Sequence, residues 1–483
     1  MGTSYRKYLA PLLAISAIAF FTLMAGRSEG TYYGGDSYWH YYFSKYAFQF
    51  PVFYLDHWAK PFFTLVSSPF SQFGYKGIIF FNILCGTAAG YMAFLTAKKN
   101  AFRYPEMALV FILFTPIFMK MMFTGMTEIF FTFLLTAGFY FLIDKKYVLS
   151  AVLLSFLPYV RNEGIIFLFL FSLFFIYKRK FIPVLVLATG TIIYSFAGGI
   201  YFRDILWLIH KSPYQLSGDV YGHGELSFYY KALTLCLGDF LKILVYIGLI
   251  ITLVSLINFF RKRQMLLKNQ AQNMMFVILV PVLYFSFQSI IWWKGWMSVL
   301  GDYRFLTAIV PFTSIIALFG FEKICGWLKV RAIAVYGLIV VVSVLVIYQT
   351  LLANPLPVPL MDENIVVRYT VDWIKRNRYN QSVIYYFNPY IPLALDASPF
   401  NNQKLREGIK NPETIEKTVP PGSILIWDSH FSANEALLPL SRVLNSKSFR
   451  LLRVFRPVVP FTVIGNNDYK VCVFQRIKEM HNE

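Results

Sequence analysis

Apolar runs close to the roughly 20 residues that cross a bilayer as a helix recur along this chain, at about 8–25, 76–96, 107–123, 127–143, 147–160, 163–177, 181–200, 240–260, 274–291, 305–321 and 332–352. Such a chain has few folds open to it. In hydrocarbon every backbone amide and carbonyl must find its partner within the segment, which leaves the helix. The intervening Lys and Arg residues fall in short clusters: Arg6-Lys7, Lys98-Lys99 with Arg103, Lys145-Lys146, Lys178-Arg179-Lys180, Arg261-Lys262-Arg263 with Lys268, and Lys323, Lys329 and Arg331. A count of about 11 transmembrane helices puts every cluster on one side, as the positive-inside rule requires. The expectation is a polytopic α-helical membrane protein with its N-terminus cytoplasmic and its C-terminus outside. The first run is read as an uncleaved span rather than a signal peptide, because the orientation of all later spans then follows without adjustment.

Composition agrees. Only 14% of residues are charged and 57% are hydrophobic, against a soluble average of about 25% charged. The net charge of +20 does not indicate nucleic acid, because the cations are split among short clusters rather than forming one continuous face. Cys85, Cys236, Cys325 and Cys472 lie far apart with no CxxC pair, which excludes a zinc knuckle and argues against a disulfide framework. That pattern points to a bacterial inner membrane, with the endoplasmic reticulum as the alternative.

The side opposite the basic clusters receives different residues: Asp36, His40, Asp56, His57, Lys60, Glu128, Arg161, Glu163, Asp302 and Arg304. Ionisable groups in apolar sequence at a membrane mark a pathway or a site. Asp36 and His40 are four apart and share one helix face, where they suit either a divalent cation or a base with its orienting partner; the structural alternative is a helix cap. Asp56-His57-Trp58-Ala59-Lys60 brings an acid, an imidazole and an ammonium together. In this grouping Lys60 suits a phosphate and Asp56 or His57 suit sugar hydroxyls. Glu128 follows a tight turn between two spans, where an acid also favours a helix start. Arg161 and Arg304 suit bidentate phosphate recognition, although Glu163 and Asp302 stand close enough in sequence to neutralise them. Tyr32, Tyr33, Tyr38, Trp39, Tyr41 and Tyr42 suit stacking on sugar faces or an interfacial belt.

Three outer loops are expected, at 26–75, 201–239 and 292–304. The second is read as a mobile lid or an interfacial helix, and Trp292, Trp293 and Trp296 of the third as an aromatic belt. After the proline-rich PLPVP segment, hydropathy falls to that of a soluble domain. The chain is therefore read as a transmembrane domain over 1–353 and a small C-terminal extracytoplasmic α/β domain over 354–483. Alternation predicts strands near 382–387, 423–427, 449–455 and 469–475, and helices near 362–377 and 434–444. Trp427-Asp428-Ser429-His430 closes a strand where ligands often bind, though a lone Asp/His turn is more often structural.

The order of these motifs resembles the GT-C superfamily of integral membrane glycosyltransferases that use polyprenyl-phosphate sugars, including protein O-mannosyltransferases and lipid A aminoarabinose transferases. The resemblance rests on Asp36 in a long first outer loop, Glu128 in a second acidic turn, Arg161-Asn162-Glu163-Gly164, and Asp302-Tyr303-Arg304 before a span containing Pro311. It covers roughly residues 1–350. It implies a GT-C-like membrane domain and an inverting hexosyltransferase: Asp36 as the catalytic carboxylate, and Arg161, Arg304 and Lys60 holding the donor's lipid phosphate. His40, Asp56, His57, Glu128, Glu163 and Asp302 would line the substrates. The implied partners are a polyprenyl-phosphate-sugar donor, membrane lipids, and an acceptor left open among a lipid, a glycan and a protein. Many relatives pair acids in the first loop where this chain has Asp36-Ser37, so a divalent cation on Asp36 and His40 stays an open option and no cofactor is assigned. The alternative function is a carrier or flippase for a lipid-linked sugar, which would distribute charges through the membrane rather than on one side of it.

Overall fold

The computed structural model describes residues 3–213, 222–262, 268–298, 300–409 and 412–477. It divides into two compact units, one made of Met1–Arg27 and Phe43–Val358, the other of Ser28–Tyr42 and Pro359–Glu483. The expected boundary at 353/354 thus falls a few residues later. Residues 28–42, expected with the membrane part, group instead with the C-terminal unit.

The first unit is helical. Among the described residues seven helices are long and apolar enough to cross a membrane, and Glu128–Ile143, Tyr147–Tyr159 and Gly164–Tyr177 are shorter apolar helices. The run 107–123, expected as one span, is two short helices, Glu106–Leu113 and Pro116–Met122. Pro116 supplies no amide and its ring clashes with the preceding turn. Side chains reach the carbonyls around the break: Thr115 Oγ1 donates to Phe111 O at 2.5 Å, Thr350 to Phe114 O, and Asn354 Nδ2 to Pro116 O at 3.1 Å. Tyr303–Trp327 is the innermost span, 89% of it buried, whereas the first and last spans, Tyr8–Arg27 and Ile333–Ala353, are each 17% buried and present apolar side chains outward.

Close helix packing sets this core. Asp239–Lys262 lies against Val310–Trp327, and a Cβ on Gly320 would stand 2.6 Å from Gly248 Cα, while one on Gly248 would stand 2.0 Å from the Ile316 carbonyl oxygen. Small residues allow such backbone approach where no hydrophobic effect drives helices together. Gly320→Ala is therefore expected to destabilise the protein by about 1–3 kcal/mol, read as a lower thermal midpoint in detergent. Gly337→Ala, with nothing within 4 Å of its Cβ position, should leave the midpoint unchanged.

Of the loop expected as a lid, residues 214–221 lie outside the described residues, as does Arg263 of one basic cluster. The remainder forms short helices at Trp207–His210, Phe228–Lys231 and Leu233–Leu237, with Trp207 fully buried and its indole donating to Tyr194 O at 2.8 Å. Trp292 is packed rather than belt-like: a Cβ on Gly301 would stand 2.3 Å from its ring. Trp293 and Trp296 are exposed.

The second unit is built on a mixed sheet. Its strands are β1 (Ile384–Tyr386), β2 (Leu405–Glu407), β3 (Ile424–Asp428), β4 (Phe449–Phe455), β5 (Thr462–Val463), β6 (Asn467–Asp468) and β7 (Val471–Arg476). The main sheet runs β2-β1-β3-β7-β4, and β5 and β6 form a separate hairpin. β1, β2 and β3 are mutually parallel, and β7 pairs antiparallel with β3 and β4. Helix Asp362–Arg376 buries Val366, Val367, Thr370, Val371 and Ile374, a 3.6-residue stripe, against β7 and β4. The helix expected over 434–444 is reduced to Leu440–Leu444: Leu437 takes a left-handed φ of 51°, and Pro439 just before the helix cannot continue one from the N-terminal side.

Residues 28–42 are an integral part of this unit. Tyr42 donates to Pro389 O at 2.8 Å and accepts from the Leu393 amide at 3.0 Å. Tyr38 accepts from Asn364 Nδ2 at 3.1 Å, and Glu29 pairs with Arg368 at 2.9 Å. Tyr38, Trp39, Tyr41 and Tyr42 are buried. Four of the six aromatics that looked suited to sugar stacking are thus packing residues, while Tyr32 and Tyr33 are half-buried.

Candidate functional site

Asn82, fully buried on helix Tyr75–Lys99, donates to the carbonyls of Thr124 and Met126 at 2.7 and 2.9 Å. It thereby holds the turn that starts helix Glu128–Ile143, with Glu128 at its first residue and 2% exposed. Glu128 Oε1 stands 2.6 Å from Arg161 Nη1 and 3.3 Å from Arg304 Nε. Both contacts are off the hydrogen-bonding direction, and among the described residues neither Glu128 oxygen has an aligned donor. One buried carboxylate thus sits between two guanidinium groups by charge alone.

Each arginine has a second acid. Arg161 Nε donates to Glu163 Oε1 at 2.5 Å, and its Nη1 to Thr127 Oγ1 at 3.1 Å. Asp302 accepts from the Arg304 amide at 2.9 Å and stands 3.3 Å from its Nε. Phe305 lies under both guanidinium groups, at 5.0 and 5.7 Å from its ring centre, and Tyr284 donates to Glu163 at 3.2 Å. Gly164 permits the tight entry into the following helix, because a Cβ there would stand 2.4 Å from the Leu157 carbonyl carbon. These fixed partners hold the cations before any ligand arrives, which is how a site stabilises charge that develops in a reaction.

Two lysines complete the group. Lys60 donates to Asn162 Oδ1 at 3.2 Å, and Lys120 to the Tyr303 hydroxyl at 3.0 Å. Lys120 was missed in sequence because it reads as an interruption inside an apolar run. The signal was the Pro116 break, which turns that run into a short helix able to end in a polar cluster. Asn82, Thr127, Asn162 and Tyr284 were missed because neutral polar residues in spans carry no periodic signature.

Asp56 Oδ1 accepts from the amides of Trp58 and Ala59 at 2.7 and 2.8 Å, closing the turn in which Lys60 adopts a φ of 65°. Its observed part is to shape the Lys60 turn. The His57 ring centre lies 5.0 Å from that of Trp207, the rings tilted by 50°; burial, then the Lys60 ammonium, holds its pKa below the ordinary imidazole value, against opposing contributions from the Trp207 backbone and Asp56.

Asp36 and His40 belong to the other unit. Both lie in the first two turns of helix Gly35–Tyr46, with His40 buried. Among the described residues no group of three or more His, Cys, Asp and Glu side chains is placed to hold a metal ion. What surrounds Asp36 is a carboxylate field. Asp36 acts electrostatically on Glu435, which also feels His430 and Glu363, and His430 Nδ1 stands 2.9 Å from Glu363 Oε2.

This field is set at the carboxyl ends of the parallel strands. Tyr386, Glu407 and Asp428 are the last residues of β1, β2 and β3, the edge where open α/β sheets bind ligands. Asp428 is buried and caps its own turn, accepting from the amides of His430 and Phe431 at 2.9 and 2.7 Å and from Ser432 Oγ at 3.1 Å. Burial pushes its carboxyl up to about 6, against those backbone hydrogen bonds. Burial, with Glu435, pushes Glu407 up to about 7. His430 is raised: burial opposes its charge, but the hydrogen bond and charge of Glu363 outweigh it.

The pH dependence follows from these signs. Glu407 binds its proton more tightly folded than unfolded, so its contribution is lost as pH rises from about 4.5 to about 7. Asp428 loses its share between about 3.8 and about 6, and His430 loses its share as pH rises through its raised pKa, above 6.5. The second unit should thus be more stable at pH 5 than at pH 8, with the share of Glu407 reduced by solvent screening because its side chain at the end of β2 is exposed. Thermal unfolding across pH 5–8 should show a falling midpoint that flattens in Glu407→Gln.

No protein-family model and no curated protein sequence matches the chain. Solved structures do match it, and what they share with the chain is the fold of a polytopic helical membrane protein. The crystal structure of ArnT from Cupriavidus metallidurans in the apo state is similar with a TM-score of 0.61 at 12% identity, over 96% of this chain and 97% of that one. ArnT from the same organism bound to undecaprenyl phosphate is similar with a TM-score of 0.58 at 11% identity, over 98% of each chain.

Proposed function

We propose that this protein is an inverting glycosyltransferase that moves a hexosyl unit from a polyprenyl-phosphate donor to an acceptor hydroxyl at the outer face of a membrane, with its N-terminus cytoplasmic and residues 354–483 outside. The observation that carries the reading is the pair of guanidinium groups, Arg161 and Arg304, held on one buried carboxylate and braced by Glu163 and Asp302. A fold shared with a protein crystallised on undecaprenyl phosphate supports it.

In the proposed step the acceptor oxygen attacks the anomeric carbon from the side opposite the phosphate. The bond from that carbon to the phosphate oxygen breaks, and its electron pair stays on the phosphate. Arg161 and Arg304, with Lys60 and Lys120, meet the growing phosphate charge in a water-poor setting where fixed cations act most strongly. Asp36 takes the acceptor proton. Glu128, Glu163 and Asp302, first expected among the substrate contacts, are assigned the orientation of the arginines, and Asp56 that of Lys60. His40 and His57 remain proposed substrate contacts. No step is drawn through a metal.

The test is transfer of radiolabelled sugar from a polyprenyl-phosphate-sugar pool in membranes that contain the protein. Labelled product with inverted anomeric configuration is the expected result. Donor binding and translocation without cleavage would overturn the enzyme in favour of the carrier.

A further inference from the structure

On the membrane face that carries the Lys and Arg clusters, two helix-to-helix corners repeat one local design. Helix Glu128–Ile143 ends and Tyr147–Ser155 begins across Asp144-Lys145-Lys146; Gly164–Tyr177 ends and Phe181–Val186 begins across Lys178-Arg179-Lys180. In each corner a cation holds the left-handed position that usually falls to glycine, Lys145 at φ 63° and Arg179 at φ 56°. A lysine follows as the N-cap, and an aromatic residue opens the next helix.

Between the corners lies an open groove of about 620 Å³ with a predominantly apolar lining, to which Lys145, Lys146, Arg179 and Lys180 contribute along with Tyr147 and Phe181. Asp144, the acid of these corners, is engaged by Lys99 at 2.6 Å and Lys146 at 3.2 Å. Lys145, Arg179 and Lys180 have no carboxylate partner among the described residues. The Lys180 ammonium stands 5.6 Å from the Tyr147 ring centre. Next to the groove, Val148, Phe181, Ile182 and Leu185 are exposed.

We infer that this groove is a binding site for the phosphodiester headgroup of an anionic phospholipid, with the acyl chains lying along the exposed apolar side chains. The positive-inside rule asks only that cations be present on a face; it does not ask that three of them, unpaired by acids, border one groove with an aromatic wall. The charge selects an anion, and the adjoining apolar surface selects a lipid over a soluble phosphate. The inference is independent of the proposed reaction, since none of these residues belongs to the Arg161 and Arg304 site.

The experiment is native mass spectrometry of the full chain released from detergent with dioleoyl phosphatidylglycerol or dioleoyl phosphatidylcholine. Preferred retention of phosphatidylglycerol is expected, and Lys145→Gln/Arg179→Gln/Lys180→Gln should weaken it about tenfold or more, from the contribution of each cation near an anionic surface. Lys323→Gln/Lys329→Gln/Arg331→Gln, with the same charge removed elsewhere, should retain the lipid. If the first triple variant folds poorly, Lys180→Gln carries the same test with a smaller loss. Equal loss in both triple variants, absence of a headgroup preference, or displacement of the lipid by millimolar inorganic phosphate would overturn the proposal.

Discussion

Asp36→Asn is expected to lower sugar transfer by about 10²–10⁴-fold, the range a positioned general base supplies, with donor binding retained. The change is nearly isosteric, so the fold around it should persist. Asp36 stands in the first turn of its helix, where an acid is also a natural helix-start residue. A helix-start role alone predicts a small loss of stability and full activity. Measuring transfer, donor retention and thermal midpoint on the same preparation separates the two. If Asp36→Asn transfers at the wild-type rate, the base must be sought elsewhere, and Glu128, buried with no aligned donor on either oxygen among the described residues, is the carboxylate to replace next.

Arg161→Gln is expected to have the largest effect on the folded protein itself. Arg161 holds Glu128 and Glu163 at 2.6 and 2.5 Å, and removing one partner of a buried ion pair strands the other, at a cost of about 3–5 kcal/mol. Loss of activity in this variant would therefore be ambiguous. Arg161→Lys keeps the charge but lacks the planar fork that two acids and a phosphate can share. It should fold and transfer about 10²–10³-fold more slowly, the loss seen when one preorganised donor to a developing charge is removed. The double variant Arg161→Gln/Glu128→Gln should regain part of the lost stability but no transfer. Recovery of transfer in the double variant would show that Arg161 is needed only to neutralise Glu128.

The limits of the sequence are clearest at Asp36 and at Arg161. That both are special was legible, because an acid or an arginine beside an apolar run has no place on a lipid-facing surface. Their company was not. Glu163 and Asp302 stand two residues from their arginines and so were readable as partners, whereas Glu128, shared by both arginines, is distant in sequence from each. Lys120 was hidden because hydropathy averages over a window and one ammonium among apolar neighbours barely lowers it. The strands at 384–386, 424–428, 449–455 and 471–476 lie close to where alternation put them, while β2, three residues long with one buried position, is too short to generate a pattern.

What the sequence determined by itself is what depends on local chemistry and on solvent: span-length apolar runs and the change to a soluble composition after Asn354. Transfer from water to lipid acts on each segment nearly independently of its neighbours, so these properties can be read residue by residue. Tertiary structure alone decided which charges meet and which aromatics are packing. Residues 28–42 follow a membrane helix in the chain yet group with a unit that begins at Pro359, and their tyrosines satisfy hydrogen bonds to Asn364, Pro389 and Leu393. Such contacts form between groups more than 300 residues apart, where no local periodicity exists to announce them. Only packing and the pairing of buried polar groups select them.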